Sequence, residues 1–382
     1  MSYYILPKIN NNLTVNPKFD DDKCRVYCSF SLYNYYNSIK SQIDSICLNE
    51  PDLLYNYNEL IKIVNPYEYV FFTVPGSKYS VSKLKPNTND FYDLLEIFMT
   101  LNILDIYNNK SIKSLHLSLD NVDTIDCIEM LRENYNDDVI IKLNDNNNDE
   151  IYKTINDLKF DIMFFNKLHN DINSYISNFI EFVMCILRYQ EFDGTSIIKI
   201  DCIFHKPIID LLYLLSSLFE KVYIIKPNTS NITTFEKYIV CKNFNGSAET
   251  KLELYKNNYY NLSNFIKNLD GNNITSIIDN DIQYYFINKI DDMNIILGHQ
   301  QLESLNQIIN ILKNKNKEEK IENIKKTSIQ KAVTWCEKFK IPCNRFSEKT
   351  NIFLPIIKEP KEPIKIKDED IILEDIEILE EI

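Results

Sequence analysis

From residue 64 onward the chain alternates short β-branched and aromatic runs with longer stretches in which apolar positions recur every three or four residues. The first pattern sends side chains to two faces of a strand and the second builds one apolar face on a helix, so together they predict α/β layering. Strands are expected at 115–119, 139–143, 160–165, 197–200, 222–226 and 238–242, and helices at 90–104, 124–133, 175–189 and 206–219. Interleaved in this way they point to an open, doubly wound, mostly parallel sheet. In such a sheet the ligand crevice lies at the carboxyl ends of the strands, so site residues should sit late in the strands or just after them.

The flanks read differently. Residues 1–63 mix turn signals at 10–12 and 20–22 with an aromatic run at 33–36, and suggest an N-terminal extension packed on the core, 64–255. Residues 256–350 read as a helical C-terminal region, clearest at 301–313 and 328–339, and 351–382 as an acidic flexible tail. The lysine-rich stretch between those two helices is a solvated face, because Glu318, Glu319 and Glu322 interrupt its positive charge.

Composition narrows the function classes. At 382 residues and 45% hydrophobic, the chain can bury one large core or two modest ones. The net charge of −13 argues against indiscriminate nucleic-acid binding, yet residues 368–381 hold eight acids and no base; without them the balance is −5, which leaves room for a local basic groove. The four arginines amid abundant Asn, Ile, Lys and Tyr fit an AT-rich coding genome.

Nine scattered cysteines suggest reduced thiols; Cys24 with Cys28, or Cys336 with Cys343, would supply half a zinc site with no second pair to complete it. The start lacks a secretion signal, and Glu181, Arg188 and Asp210 interrupt the apolar runs, so a protein neither secreted nor membrane-spanning is expected. His116, His169, His205 and His299 form no metal-binding pattern, and nucleophile-elbow and Gly-Lys-Ser/Thr phosphate-loop motifs are absent.

The most distinctive stretch is 194–242, which reads as strand, helix, strand, turn, strand. Lys199 stands inside an otherwise apolar strand. Burying an ammonium costs several kcal/mol unless a carboxylate partners it, and Glu236, entering a neighbouring strand, is a candidate; the alternative is that Lys199 reaches solvent at the sheet edge. Lys-Pro-x-x-Ser at 226–230, followed by Glu-Lys-Tyr-Ile-Val-Cys-Lys at 236–242 and preceded by a lysine-ended strand and an apolar helix, resembles the carboxyl half of FtsJ-like RNA ribose 2′-O-methyltransferases. The closest likeness is to forms encoded by large nucleocytoplasmic DNA viruses of the mimivirus type.

That resemblance implies a Rossmann-like methyltransferase sheet, S-adenosylmethionine as cofactor, and a catalytic tetrad of lysine, aspartate, lysine and glutamate. Ser-x-x-x-Lys-Leu within 74–86 puts the first lysine at Lys83, with Lys78 as a rival; the second falls at Lys199 and the glutamate at Glu236. Asn166 stands where the aspartate is expected, and Asp161 begins that strand, a strand's length from the crevice. An amide accepts a hydrogen bond but carries no charge to tune a lysine.

The cofactor loop departs as well. The family's Gly-Pro-Gly-Gly-Phe turn is replaced by residues following Ser118, with Asp120, Asn121, Val122 and Asp123 where the glycines should be. A β-branched residue is strained at positive φ, and side chains fill volume that Ser118, Asp120 and Asn121 would have to leave for a cofactor. Two further departures are Asn231, in place of an arginine, and Asp193-Gly194, in place of a glycine pair.

Three functions follow as expectations. One is a methyltransferase-fold protein with lost or impaired transfer, serving as scaffold or accessory subunit in viral mRNA capping or RNA processing, with RNA or capping and polyadenylation proteins as partners. The second is an active cap ribose 2′-O-methyltransferase, and the third a structural or virion-packaged interaction protein. The implied location is the host cytoplasm at a viral factory, or the virion.

Overall fold

A computed structural model describes residues 2–20, 24–49, 57–74, 77–118, 122–142, 158–245, 249–268, 273–313 and 317–344. The first part of the chain runs β1 (Ser2–Ile5), β2 (Val15–Asp20), α1 (Phe30–Asn49), α2 (Tyr57–Val64), α3 (Glu68–Phe71), α4 (Asp90–Leu101), β3 (Lys113–Ser118), α5 (Val122–Leu131) and β4 (Asp138–Lys142). It continues with β5 (Phe160–Asn166), α6 (Ile172–Tyr189), β6 (Gln190–Ile200), α7 (Lys206–Leu218), β7 (Phe219–Lys226) and β8 (Lys237–Phe244). Then follow α8 (Glu249–Lys267), β9 (Asn273–Ile278), α9 (Tyr284–Lys313) and α10 (Lys317–Lys338).

The strands predicted from 115 to 242 all form and join one seven-stranded sheet, ordered β1-β7-β8-β6-β5-β3-β4. Strands β4, β3, β5 and β6 pair in parallel, β8 inserts antiparallel between β6 and β7, and β1 lies antiparallel outside β7. The sheet is therefore mostly parallel in strand direction and α/β in class, as expected. From β3 the chain crosses through α5 to β4 on one side, then returns to β5 on the other and crosses through α6 to β6. Right-handed crossovers put α5 and α6 on opposite faces, which makes the gap between β3 and β5 the topological switch point. Ser118 and Asn166, the last residues of those strands, are register partners there.

Helices α6 and α7 pack on one face, α6 through an apolar stripe and α7 nearly all round; Ile176, Ile180, Val183, Ile208, Leu211 and Leu212 are each fully enclosed. Each runs straight into the next strand, Tyr189 into Gln190 and Leu218 into Phe219. Strand β6 starts earlier than the expected 197 because it absorbs a bulge at Asp193-Gly194, opposite the register shift between Phe160 and Ile162 of β5. Asp193 takes φ 56°, and a Cβ at Gly194 would lie 2.8 Å from the Glu191 carbonyl and 2.9 Å from that of Asp161. One glycine suffices there, since aspartate tolerates the left-handed region better than most residues.

The flanks are more sheet-like than their sequence suggested. The N-terminal extension supplies β1, an edge strand, and β2, which pairs with β9; β9 itself interrupts a region expected to be helical. Further along, Ile39 and Ile43 of α1 share an apolar cluster with Leu60 of α2 and Ile308 of α9, so the N-terminal and C-terminal flanks pack on each other. No helix of the described residues is long and apolar enough to cross a membrane. The tail 351–382 and residues 119–121 of the expected cofactor loop lie outside the described residues.

Candidate functional site

Helix α4 brings the unexpected charge to the rim. Its sequence DFYDLLEIFMTL places acids at 90, 93 and 96, three residues apart on one stripe of a helix that is otherwise Phe, Tyr, Leu, Ile, Met and Thr. Acids in a helix's first turns are favoured by its dipole, and Asp90 lies at the N-terminal end that points to the switch point.

Three strands converge on Asp90. Lys199 of β6 donates from Nζ to Asp90 Oδ1 at 2.8 Å, Asn166 of β5 donates from Nδ2 to Oδ2 at 3.2 Å, and the Tyr238 hydroxyl of β8 donates to Oδ1 at 3.4 Å. Lys199 and Tyr238 are themselves register partners across β6 and β8, which fixes their approach to the same oxygen. Burial works against the Lys199 ammonium, but the charges of Asp90, Glu236 and Asp93 outweigh it, and its pKa lies above the ordinary lysine value. The sequence leaves Lys199 either partnered by Glu236 in the interior or reaching solvent at the sheet edge; its direct partner is Asp90, with Glu236 contributing through its field.

The other two acids of α4 hold the Lys-Pro-x-x-Ser loop. Thr229 donates its hydroxyl to Asp93, which lies 3.3 Å from the Tyr238 hydroxyl, so that the one phenolic proton is shared between Asp90 and Asp93; burial, then the neighbouring Asp90 charge, pushes the Asp93 carboxyl well up. Glu96 accepts from the Asn228 backbone N–H and side-chain amide, both at 2.9 Å, and from the Trp335 indole of α10 at 3.1 Å. Asn231 accepts from Thr233 through both N–H and hydroxyl, closing the turn without the expected arginine. Lys226 then donates to the carbonyls of Thr234 and Glu236 at 2.9 and 2.8 Å. Burial, reinforced by the Lys237 charge, brings its amine down to about 7.

Lys83 does not join this cluster. Its backbone N–H donates to the Pro342 carbonyl at 2.8 Å beside the Ser82–Cys343 bridge, its side chain is exposed, and it lines neither of the cavities at the rim. Lys78 is exposed too. The motif spacing that selected Lys83 is local, whereas the position of this loop is fixed by the segment after α10.

On the β3 side, Ser118 ends its strand beside Asn166, while Asp120 and Asn121 lie outside the described residues. Val122 and Asp123 already belong to α5, so the glycine-like strain expected of Val122 does not arise. The buried Asp123 carboxylate faces backwards, accepting from the N–H groups of Asn87 at 2.8 Å and Thr88 at 2.5 Å and from the Thr88 hydroxyl, and braces the entry to α4. His116 is fully enclosed, stacked on Phe164 with centroids 4.7 Å apart and tied to Thr124 and Ser114; burial takes it down to about 3, so it is neutral.

Among the described residues, two spaces adjoin the cluster. Between α4 and the sheet, Asp90, Leu94, Thr124, Phe164, Asn166 and Lys199 border a cavity of about 20 Å³, room for about one water, where ligand pockets run to roughly 300 Å³ and above. The space enclosed by these side chains is far smaller than a nucleoside. The opposite side opens into a groove of about 970 Å³ that reaches Asn166, Lys199 and Glu236. Tyr33, Tyr36, Tyr175 and Phe235 give it aromatic walls, but Lys40, Lys167 and Lys199 are matched by Asp171, Asp201 and Glu236, so it is not a basic groove. No group of three or more His, Cys, Asp or Glu suited to a metal occurs among the described residues.

Against known proteins, no family model matches the chain. It is 30% identical over 120 residues to cap-specific mRNA (nucleoside-2′-O-)-methyltransferase 1 of Drosophila melanogaster, a match covering 30% of this chain and 15% of that protein. It is 23% identical over 165 residues to the protein of the same description from Trypanosoma brucei brucei, covering 40% of this chain and 43% of that one. The chain is similar to RNA ribose 2′-O-methyltransferases. It spans less than half the length of these curated relatives. Among solved structures, one described as a ribosomal RNA methyltransferase from Plasmodium falciparum aligns with a TM-score of 0.33 and 18% identity, covering 42% of this chain and 98% of that one.

The sheet carries a rim to which Asn166, Lys199 and Glu236 all contribute, with Asp90 in their midst. Asp90, Asp93 and Glu96 were missed as site residues. The signal was present, since three acids at helical spacing in an apolar helix must face polar partners once that helix is buried.

Proposed function

We propose that this chain is a methyltransferase-like protein in which methyl transfer is impaired or lost, and that it acts as a scaffold or accessory subunit in viral mRNA capping or RNA processing. The observation that carries the reading is the Asp90–Lys199 ion pair at the rim. A ribose 2′-hydroxyl is a poor nucleophile at neutral pH and needs a base to take its proton. An ammonium held at 2.8 Å by a carboxylate has no lone pair to offer, and Lys83 lines neither cavity described at the rim. The partners proposed are RNA and the proteins of a capping or polyadenylation assembly, in the host cytoplasm at a viral factory.

The test is calorimetric titration of the whole chain with S-adenosylmethionine, followed by incubation with capped RNA and a labelled methyl donor. No heat and no label transfer are expected. Micromolar binding with transfer to a ribose would sink the reading and favour a working cap ribose 2′-O-methyltransferase, the alternative supported by similarity to the cap-specific enzymes. Affinity purification from infected cells should recover capping or polyadenylation proteins. Capsid proteins instead would point to a virion component.

A further inference from the structure

We infer that Asp90 stands in for the carboxylate missing at position 166 and holds Lys199 as a paired ammonium, which makes it a positioning residue of the rim. The geometry is that of a relocated charge. Asp90 reaches the space between β5, β6 and β8 from the helix above and takes one hydrogen bond from each strand, through Asn166, Lys199 and Tyr238. Asn166 donates to this carboxylate through its amide, a role that an aspartate there could not play while ionised. Asparagine at 166 and aspartate at 90 are therefore complementary: a carboxylate at both places would set two like charges against each other.

The charged and titratable groups facing Lys199 are Asp90 and Asp93 from α4, Glu236 from the segment before β8, and Tyr238 from β8. Of these, Asp90 alone is in direct ion-pair contact with Lys199 among the described residues. Removing its charge should change Lys199 more than any change at Glu236. The inference rests on the reading above for what the lysine's charge state means, but its test does not involve methyl transfer.

The experiment is an NMR titration of the full chain labelled in its lysine side chains, with Lys199 assigned by its disappearance in Lys199→Arg. In the wild type Lys199 should remain protonated beyond the pH at which exposed lysines release their protons. Asp90→Asn, close to isosteric, should shift its midpoint to lower pH. Adding Asn166→Asp to Asp90→Asn returns one carboxylate beside the amine and should move the midpoint back up. The inference is overturned by a wild-type Lys199 that titrates with or below the exposed lysines, or by a midpoint that Asp90→Asn leaves unmoved. The wild-type titration decides even if the variant fails to fold. Methyl transfer by a chain whose Lys199 is still paired would remove the functional reading and leave this one standing.

Discussion

Lys199 and Lys226 end neighbouring segments of the same rim, separated by β8, yet they hold their protons differently. Both are largely buried. Lys199 meets a carboxylate and stays charged, whereas Lys226 meets the carbonyls of Thr234 and Glu236, lies in the field of Lys237, and falls to about 7. Burial sets the cost of an ammonium in both, and the nature of the nearest acceptor decides whether that cost is met by a full opposite charge or by partial ones. The contrast explains how a sheet edge can hold two lysines, one fixed as a cation and one close to neutral, within a single loop's reach.

The largest expected effect comes from breaking the charged member. Lys199→Met leaves Asp90 partly buried with only neutral donors, and should destabilise the fold by about 2–3 kcal/mol in urea unfolding. Combining it with Asp90→Asn should recover a good part of that loss, because no orphaned charge then remains. A double variant no better than the single one would mean that the pair contributes through packing.

Lys226→Met should cost less, and least at neutral pH where the buried amine has to shed its proton, since it removes two hydrogen bonds but no full ion pair. Its pH dependence separates the two lysines. The Lys226 amine has a folded pKa of about 7, below that of an unfolded lysine, so the native state binds fewer protons over the window between them and stability rises with pH there. The wild type should gain stability over Lys226→Met as pH climbs from about 7 towards 10. Lys199, raised in the fold, contributes stability at neutral pH that is lost only as pH rises through its folded pKa, above the ordinary lysine value.

The smallest effect near neutrality concerns His116, a buried base with hydroxyl partners and no carboxylate. With a folded pKa of about 3, it should cost stability only as pH falls below the usual histidine range, where the unfolded chain takes up a proton and the native one does not. His116→Gln should flatten that acid-side decline in unfolding measurements from pH 7 to 4.

Much of the sheet was legible because its strands are runs of β-branched and aromatic residues bounded by helices long enough to show their own period. What escaped was short or paired far away in sequence. β1 is four residues long and finds its partner at 223–226, and β9 pairs with β2 across more than half the chain. The rim was legible in part. Lys199, Asn166 and Glu236 stand on strand ends or beside them, where the fold class puts a crevice. Lys83 was chosen by local spacing, although its loop is placed by Pro342 and Cys343. Asp90 was overlooked because an acid at a helix start has an ordinary explanation in the helix dipole, and only the packed structure turns it inward against Lys199.

A single carboxylate, that of Glu96, answers both the loop at Asn228 and the indole of Trp335. The last described helix is thereby latched to the rim. A partner gripping α10 from outside would tug on the same anchor that seats the segment leading to Glu236, and a truncation ahead of Trp335 would release that anchor along with the helix.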